Sequence, residues 1–308
     1  MTFTRCSMNA SPSARLKEIL MKKHVLALTV LAFCSVSFAG TPGQTEADAN
    51  QQADTAAQES IAQTSISPFA TTSCSYNFIS GSSNTFLGYC VTVNGNILQI
   101  QTPFGQNMLG ANGEGYGICN ESPAINYTDY GVSDTGNWKS AVVVSHSSTS
   151  VKIARTTADG RWTLTQTITM VPKTFSITVV MALKNNQSAA HVAYLVRFAD
   201  AEPASPSPGD VVTQFWTGGL SSALARTYQL DPNYGLQLSN VGIPPFSFWQ
   251  GYAQFLTTGP NACAFAFNEG QNNYVNRFGN ENGSIEMAYV GTVAAGQTKT
   301  VTLSYHGL

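Results

Sequence analysis

Apolar residues and threonines alternate strictly between Trp162 and Met170. Every second position carries a threonine: Thr163, Thr165, Thr167 and Thr169. Most positions between them are large and apolar: Trp162, Leu164, Ile168 and Met170. A side-chain period of two is that of a strand with one buried face, whereas a helix repeats every 3.6 residues. The segment therefore predicts a half-buried strand and excludes a helix.

Shorter runs of the same kind lie on both sides of this strand. Runs at 141–145 and 151–157 precede it, and residues 174–183 follow it after a short turn. An Asp-Gly pair at 159–160 supplies a tight turn, because glycine accepts a positive φ. Four strands with such short connections predict an antiparallel meander. Residues 189–198 add a fifth strand, apolar on both faces and therefore expected to be covered on both.

Further strands are expected at 76–79, 86–93, 97–102, 211–216, 262–267, 284–290 and 298–305. No long segment has a 3.6-residue apolar repeat, and no internal repeat of solenoid or propeller length is present. This pattern predicts an all-β fold, a large antiparallel β-sandwich of supersandwich type. Residues 67–308 form one domain in this interpretation, a length of about 240 residues that is within the range of such sandwiches.

The order of strands over residues 140–200 resembles a known family. The Asp-Gly turn, the strands at 162–170 and 175–183 and the polar segment 184–186 resemble the central strands of galactose mutarotase-like domains. Those domains occur in aldose epimerases and as β-sandwich modules of carbohydrate-active enzymes. Epimerases of this kind use histidines with a carboxylate base, and no histidine of this chain lies in a matching motif. The resemblance therefore implies a fold and leaves an activity open.

The N-terminal segment has the three parts of a secretory signal. Basic residues at 22–23 precede the apolar run 25–36, and small residues follow it up to Ala39. The run is shorter than the roughly 20 residues that a membrane-spanning helix needs. We therefore predict cleavage after Ala39, and no membrane span in the mature chain.

The segments on either side of the cleavage site are less informative. Residues 40–66 contain no aromatic residue and are rich in Ala, Gln, Thr and acids, so they are expected to form a disordered leader. Lipid attachment at Cys34 is an alternative to cleavage, although Phe33 stands where a lipobox has a small residue. The signal begins at Met21, so the sequence does not decide whether residues 1–20 are translated.

Cleavage changes the charge balance of the chain. Ten of the 15 basic and 16 of the 17 acidic side chains remain, a formal net charge of −6. Nucleic-acid binding relies on clustered Lys and Arg, and no such cluster remains in the sequence. We therefore expect a secreted or periplasmic protein with no nucleic-acid partner.

Four cysteines remain after cleavage: Cys74, Cys90, Cys119 and Cys263. An even number in an oxidising compartment indicates disulfides, and four cysteines allow three pairings. We favour Cys74 with Cys90, which joins a local hairpin, and Cys119 with Cys263, which joins distant strands. The sequence has no Cys-x-x-Cys pair of the kind that holds zinc, and neither a metal nor a cofactor is predicted.

Ionisable residues near strand ends are the candidates for catalysis. His146 follows a strand and His191 lies within one, and a catalytic histidine needs a partner that sets its tautomer. Asp200 and Glu202 flank a single residue, so an extended backbone would point both carboxylates to one side, as an acid and base pair requires. Ordinary packing or a solvated loop explains each of the four as well. No nucleophile motif such as G-x-S-x-G is present.

The densest aromatic segment of the chain spans residues 244–255. Phe248, Trp249 and Tyr252 lie there beside amide side chains, and Trp216 is predicted to join them from another strand. Flat apolar rings next to amides suit stacking on sugar rings with hydrogen bonds to hydroxyls. These four are the predicted ligand-binding residues. Burial in the core is the alternative, because each aromatic ring contributes a large apolar area.

Three functions are compatible with these features. The first is an exported sandwich that binds a glycan or another surface ligand without catalysing a reaction. The second is a carbohydrate-active enzyme, mutarotase-like or polysaccharide-processing, that uses the four candidate acids and bases. The third is a structural or adhesive envelope protein. The features favour binding and leave the identity of the ligand and the oligomeric state open.

Overall fold

The computed structural model of the chain describes residues 74–131, 133–134, 137–203, 212–217, 221–228, 233–255, 262–263 and 283–308. The predicted signal, leader and domain boundary lie outside these residues. The strands are β1 (Tyr76–Ser80), β2 (Leu87–Val91), β3 (Ile97–Gln101), β4 (Leu109–Asn120), β5 (Ile125–Tyr130), β6 (Ser133–Asp134), β7 (Val142–His146), β8 (Ser150–Thr156), β9 (Trp162–Val171), β10 (Ser176–Asn185), β11 (His191–Ala201), β12 (Val212–Thr217), β13 (Ser222–Tyr228), β14 (Gly235–Asn240), β15 (Phe248–Phe255), β16 (Gly283–Val293) and β17 (Thr298–Gly307). The predicted all-β class is confirmed.

The strands form three sheets with antiparallel pairing throughout. The eight-stranded sheet has the order β12-β13-β14-β17-β10-β9-β8-β7, and the six-stranded sheet has the order β15-β16-β11-β4-β5-β6. The order of the three-stranded sheet is β1-β2-β3. The run from β7 to β10 is the predicted meander. The large antiparallel sandwich is therefore confirmed, with a small third sheet that the sequence did not indicate.

The strand β11 leaves the meander and enters the six-stranded sheet. It lies between β16 and β4, and every residue from Ala193 to Ala201 is buried. A strand with two neighbours and two covered faces has no solvent-facing positions, which explains why most of its residues are apolar.

Several strands were missed, and one prediction is wrong. The missed strands are β4, β5, β6, β13, β14 and β15. In β4, glycines alternate with other residues from Gly113 to Gly117 and hide the apolar pattern. The strand predicted at 262–267 is wrong at Ala262 and Cys263, which are helical; the rest of that range lies outside the described residues. The bond from Cys263 to Cys119 holds this pair against the six-stranded sheet, where it forms no ladder.

The inward faces of the two larger sheets form one apolar core. From Trp162 to Met170 the apolar residues of β9 are buried and its threonines are half-buried, so the predicted alternation is confirmed. Each large apolar side chain buried in this way contributes about 1.5–3 kcal/mol. Trp162 on β9 also donates from Nε1 to Oδ1 of Asn120 on β4 over 3.2 Å, which links the facing sheets.

Two ion pairs lie inside this core. Arg197 on β11 pairs with Glu114 on β4, and Arg155 on β8 pairs with Asp129 on β5. All four side chains are at most 2% exposed. Burying an ion costs several kcal/mol unless it is paired and hydrogen-bonded. The second pair joins the two larger sheets, so it restricts how they can pack together.

Two neutral side chains of the eight-stranded sheet form hydrogen bonds with the pair of Arg197 and Glu114. The hydroxyl of Tyr305 on β17 donates to Oε1 of Glu114 over 2.8 Å. The side-chain carbonyl of Gln166 on β9 accepts from Arg197. Both ions therefore have partners in the facing sheet as well as in their own.

The turn between β2 and β3 reaches into the same interior. The backbone N–H of Ile97 donates to Oε2 of Glu114 over 2.8 Å, and the side-chain amide of Asn96 donates to Asp129. Gly95 has a φ of +91°, and a Cβ there would lie 2.7 Å from a side-chain amide of β9. Glycine is therefore required at this position. The turn brings the three-stranded sheet into the polar interior.

The variant Arg155→Met is expected to lower the free energy of unfolding by about 3–5 kcal/mol, because it leaves the buried carboxylate of Asp129 without its cation. Urea unfolding followed by tryptophan fluorescence measures the loss. Arg161 is the matched control, since it pairs with Asp159 at 3.1 Å near the surface. Arg161→Met should cost less than about 1 kcal/mol. Equal losses in the two variants would contradict the role given to the interior pair.

Asp159, in the turn between β8 and β9, predicts a dependence of stability on pH. Burial alone would raise its pKa, but hydrogen bonds from Tyr127 and Thr157 and the charge of Arg161 outweigh burial and lower the pKa. A lowered pKa stabilises the fold above the unfolded value of about 4, and this contribution disappears as the pH falls through the folded value. Asp159→Asn should therefore lose less stability than the parent chain between about pH 4 and pH 2. If the two chains lost the same free energy of unfolding over that pH range, the lowered pKa of Asp159 would be contradicted.

Candidate functional site

Alternation along β15 separates the predicted aromatic residues onto two faces. Phe248, Gln250 and Tyr252 occupy the outer face of the six-stranded sheet, and Trp249 packs against the core on the other face. Phe248 is 38% exposed, and the other two outward side chains are half-buried. Among the described strands, β15 pairs with β16 alone and so forms an edge of its sheet. We call Phe248, Gln250 and Tyr252 the β15 face.

The β15 face adjoins an apolar layer on the outside of the six-stranded sheet. This outer layer consists of Cys119, Tyr194, Val196, Ala262, Cys263 and Ala288, and Tyr252 packs against it. In register, Phe248 lies beside Val290, which lies beside Tyr194. The hydroxyl of Tyr252 donates to Oε1 of Gln250 over 3.2 Å. This bond holds the amide between two aromatic rings.

Exposed apolar residues extend from β14 towards the β15 face. Val241 is exposed and Ile243 is 91% exposed, both in the connection that leads to Phe248. Phe246 in the same connection is buried, and its ring centre lies 5.8 Å from that of Tyr289. The connection is therefore anchored in the core while its apolar neighbours face solvent. Exposed apolar residues next to polar ones are typical of interaction surfaces.

Two further aromatic residues, Trp216 and Tyr194, lie on other strands. Trp216, predicted to join the β15 residues, lies opposite Leu224 on β12 and β13, and its side chain is outside the described part of the structure. Tyr194 was not singled out from the sequence, yet it lies two strands from Phe248 on the same face. Its position depends on the register of three strands that are distant in sequence, and no sequence signal reveals that register.

Two of the predicted acids and bases, His191 and Asp200, lie near opposite ends of one strand. His146 lies on β7, an edge of the eight-stranded sheet, and His306 on β17 bonds through Nδ1 to Oγ of Ser176 at 2.8 Å. His191 begins β11 and Asp200 lies near its other end, about 30 Å away for a strand that rises about 3.3 Å per residue. Within the described ranges, no group of three His, Cys, Asp or Glu side chains could hold a metal ion.

Asp200 and Glu202 have structural contacts at the end of β11. Asp200 is fully buried, and its Oδ2 accepts from the backbone N–H of Asn112 over 2.9 Å. Its carboxylate fills the space beside Gly110, where a Cβ would lie 2.6 Å from Oδ2. Glu202 is half-buried, and its backbone N–H donates to the carbonyl of Met108 over 3.0 Å. The two residues anchor the end of β11 to the segment that begins β4.

Strongly perturbed carboxyl and guanidinium groups are enclosed in the interior. Burial raises the pKa of Glu114 to about 7, against the opposing effects of Arg197 and of hydrogen bonds from Ile97 and Tyr305. Burial alone would lower the pKa of Arg197, but the carboxylate of Glu114 outweighs it and raises the pKa. A perturbed group indicates a functional site where a ligand can reach it, and both side chains are fully buried. We therefore interpret this network as structural.

Both predicted disulfides are confirmed. Cys74 joins Cys90 across a separation of 16 residues, and Cys119 joins Cys263 across 144. The backbone N–H of Cys263 also donates to Oδ1 of Asn126 over 3.4 Å. Two disulfides are consistent with an extracellular or periplasmic protein. In the described part of the chain, no helix has the length and apolar character needed to cross a membrane.

Several solved structures resemble this chain. A putative aldose 1-epimerase from Escherichia coli K12 covers 76% of this chain and 99% of its own length, with 10% identity and a TM-score of 0.44. A galactose mutarotase-like protein from Lactobacillus casei covers 76% of this chain and 100% of its own, with 9% identity and a TM-score of 0.45. A bacterial glucoamylase complexed with acarbose covers 89% of this chain and 35% of its own, with 10% identity and a TM-score of 0.47.

These comparisons confirm the predicted resemblance to galactose mutarotase-like proteins as a weak likeness of fold. No protein-family profile matches the chain, and no curated protein matches it in sequence. The likeness assigns no role to any residue.

Removal of the two disulfides is expected to have unequal effects. In the chain-entropy description, a closed loop of about 15 residues is worth about 3 kcal/mol and one of more than about 100 residues about 5 kcal/mol. The paired change Cys119→Ser with Cys263→Ser should therefore lower the free energy of unfolding more than Cys74→Ser with Cys90→Ser. Urea unfolding of both variants measures the difference. A larger loss from the Cys74 and Cys90 changes would contradict this expectation.

Proposed function

We propose that the chain is an exported protein that binds a glycan through the β15 face and catalyses no reaction on it. The observation that supports this most directly is the outward order of aromatic ring, amide and aromatic ring at Phe248, Gln250 and Tyr252. Sugar rings present apolar C–H faces that pack on aromatic rings and hydroxyls that bond to amides. The β15 face offers both kinds of contact on one strand edge.

The arrangement of ionisable groups favours binding over catalysis. Acid and base catalysis needs two groups within hydrogen-bond reach of one substrate. Of the candidates, His191 and Asp200 lie at opposite ends of one strand, and Asp200 is engaged with the backbone of Asn112. None of the candidate histidines or carboxylates is part of the β15 face.

Export is supported by sequence and structure together. The signal pattern before Ala39 directs the chain out of the cytoplasm in this proposal, and the two disulfides suit an oxidising compartment. A body with few charged residues is compatible with neutral ligands such as uncharged polysaccharides.

Phe248→Ala is expected to weaken glycan binding about tenfold, since a stacked aromatic ring contributes on the order of 1 kcal/mol. The measurement is binding of the oxidised chain to an array of immobilised uncharged and acidic polysaccharides. Phe175→Ala is the control, because Phe175 is a half-buried phenylalanine in the turn between β9 and β10 of the eight-stranded sheet. Trp249→Ala should instead lower the free energy of unfolding, because its ring packs against the core. Unchanged binding in Phe248→Ala would remove the proposed site.

A further inference from the structure

The strand β7 forms a free edge of the eight-stranded sheet. Among the described strands it pairs with β8 alone, and no further backbone hydrogen bond between described residues reaches Val142–His146. We call the side of β7 that faces away from β8 the β7 edge. An edge of this kind presents a row of N–H and C=O groups that have no ladder partner. The β7 edge is therefore a template on which a further strand can pair.

Three consecutive valines are exposed on this strand. Val142 is 61% exposed, Val143 is 44% exposed and Val144 is 52% exposed. All five residues of β7 are exposed, whereas the inward positions of β8, β9 and β10 are buried. A register irregularity between Val143 and Ser145 interrupts the alternation along β7. Contiguous exposed apolar residues are typical of surfaces that bind another macromolecule.

The β7 edge lacks the common features that keep sheet edges from pairing. Charged side chains and prolines on the strand are the usual protection. Residues 140–151 contain no Asp, Glu, Lys, Arg or Pro. The irregularity between Val143 and Ser145 is a protective feature, and it limits the length over which a second strand can pair. A partner strand therefore meets an uncharged edge of modest length.

Contacts at the end of β7 hold the strand in its extended conformation. The N–H of Ser147 donates to the carbonyl of Ser150 over 2.8 Å and closes the hairpin of β7 and β8. The ring of His146 lies against that of Tyr76 on β1, with ring centres 4.8 Å apart. A strand that is already ordered loses little conformational entropy when a partner binds. The β7 edge is therefore preorganised for pairing.

A second copy of the same chain suits this edge. Two identical strands can pair antiparallel about a two-fold axis, which is the commonest symmetry of soluble oligomers. The valines of one copy then meet the valines of the other, and cross-strand pairs of β-branched residues stabilise a sheet. With the axis at Val143, the positive charge of Lys139 lies opposite Ser147 of the other copy, so like charges stay apart.

Other occupants fit the β7 edge less well. A lipid surface would cover the valines but leave the N–H and C=O groups of the edge without hydrogen-bond partners, which costs free energy. A charged segment would place its charges against exposed valines. A strand of uncharged β-branched residues satisfies both the backbone and the side chains, and β7 itself is such a strand.

We propose that two copies of this chain associate through their β7 strands, which pair antiparallel across a two-fold axis and join the two eight-stranded sheets into one. Each copy contributes one strand of five residues, so the contact is smaller than the roughly 800 Å² per partner of a standard interface. The dimer is therefore weak, with a dissociation constant between about 1 μM and 1 mM. The contact is separate from the β15 face, which belongs to the six-stranded sheet.

Sedimentation velocity of the oxidised chain between about 10 μM and 1 mM measures this association. We expect a sedimentation coefficient that rises with concentration as monomer converts to dimer. Val144→Lys should raise the dissociation constant at least about tenfold, because it places two hydrated like charges in the contact. Val93→Lys is the matched control, since Val93 is 53% exposed in the turn between β2 and β3, and it should leave the association unchanged.

Cysteine cross-linking tests the position of the contact. Directly opposed residues of an antiparallel pair have Cα atoms about 4.5–5.5 Å apart, which is within the range that a disulfide bridges. Val143→Cys should therefore form a covalent dimer faster than Val93→Cys under mild oxidation, as measured on non-reducing gels. Cysteine is close to valine in size and adds no charge, so this variant tests the contact even if Val144→Lys fails to fold.

The outcomes are distinct. A chain that sediments as a monomer up to about 1 mM overturns the proposed dimer and leaves an extended segment of a different protein as the occupant of the β7 edge. Association that a folded Val144→Lys variant leaves unchanged also overturns it, as do equal cross-linking rates for Val143→Cys and Val93→Cys. Association that is lost in Val144→Lys and kept in Val93→Lys, together with faster cross-linking of Val143→Cys, supports the β7 contact.

Discussion

Buried ion pairs set the conditions under which the three sheets can assemble. Arg155 and Asp129 join the two larger sheets, and Glu114 takes donors from the eight-stranded and the three-stranded sheets while it pairs with Arg197. A buried charge is tolerated when its partner and its hydrogen bonds are all in place. The sheets therefore have to dock together, and the outer faces of the same strands are held in position by these inward contacts.

Much of the fold could be predicted from the sequence because alternation is a local property. The Thr and apolar pattern of β9, the turn at 159–160 and the following strand are readable without knowledge of tertiary contacts. The glycine-rich β4 was not readable, because its strand character comes from neighbours on both sides. The division into three sheets depends on which strands pair, and β11 follows β10 in sequence while it belongs to a different sheet.

The sites were predicted less completely than the fold. Composition located the segment with Phe248 and Tyr252, and a period of two assigns Trp249 to the opposite face once β15 is known to be a strand. Tyr194 was missed because its place on the same face as Phe248 depends on the register of three strands that are distant in sequence.

The most direct test of this account is a double-mutant cycle on Glu114 and Arg197. Urea unfolding of Glu114→Gln, Arg197→Met and the double variant yields the coupling free energy between the two side chains. We expect a coupling above about 1 kcal/mol, because each single change leaves a buried partner unsatisfied and the double change relieves it. Losses that add to within about 0.3–0.5 kcal/mol would contradict the claim that a buried charge is tolerated in this core only when its partner is in place.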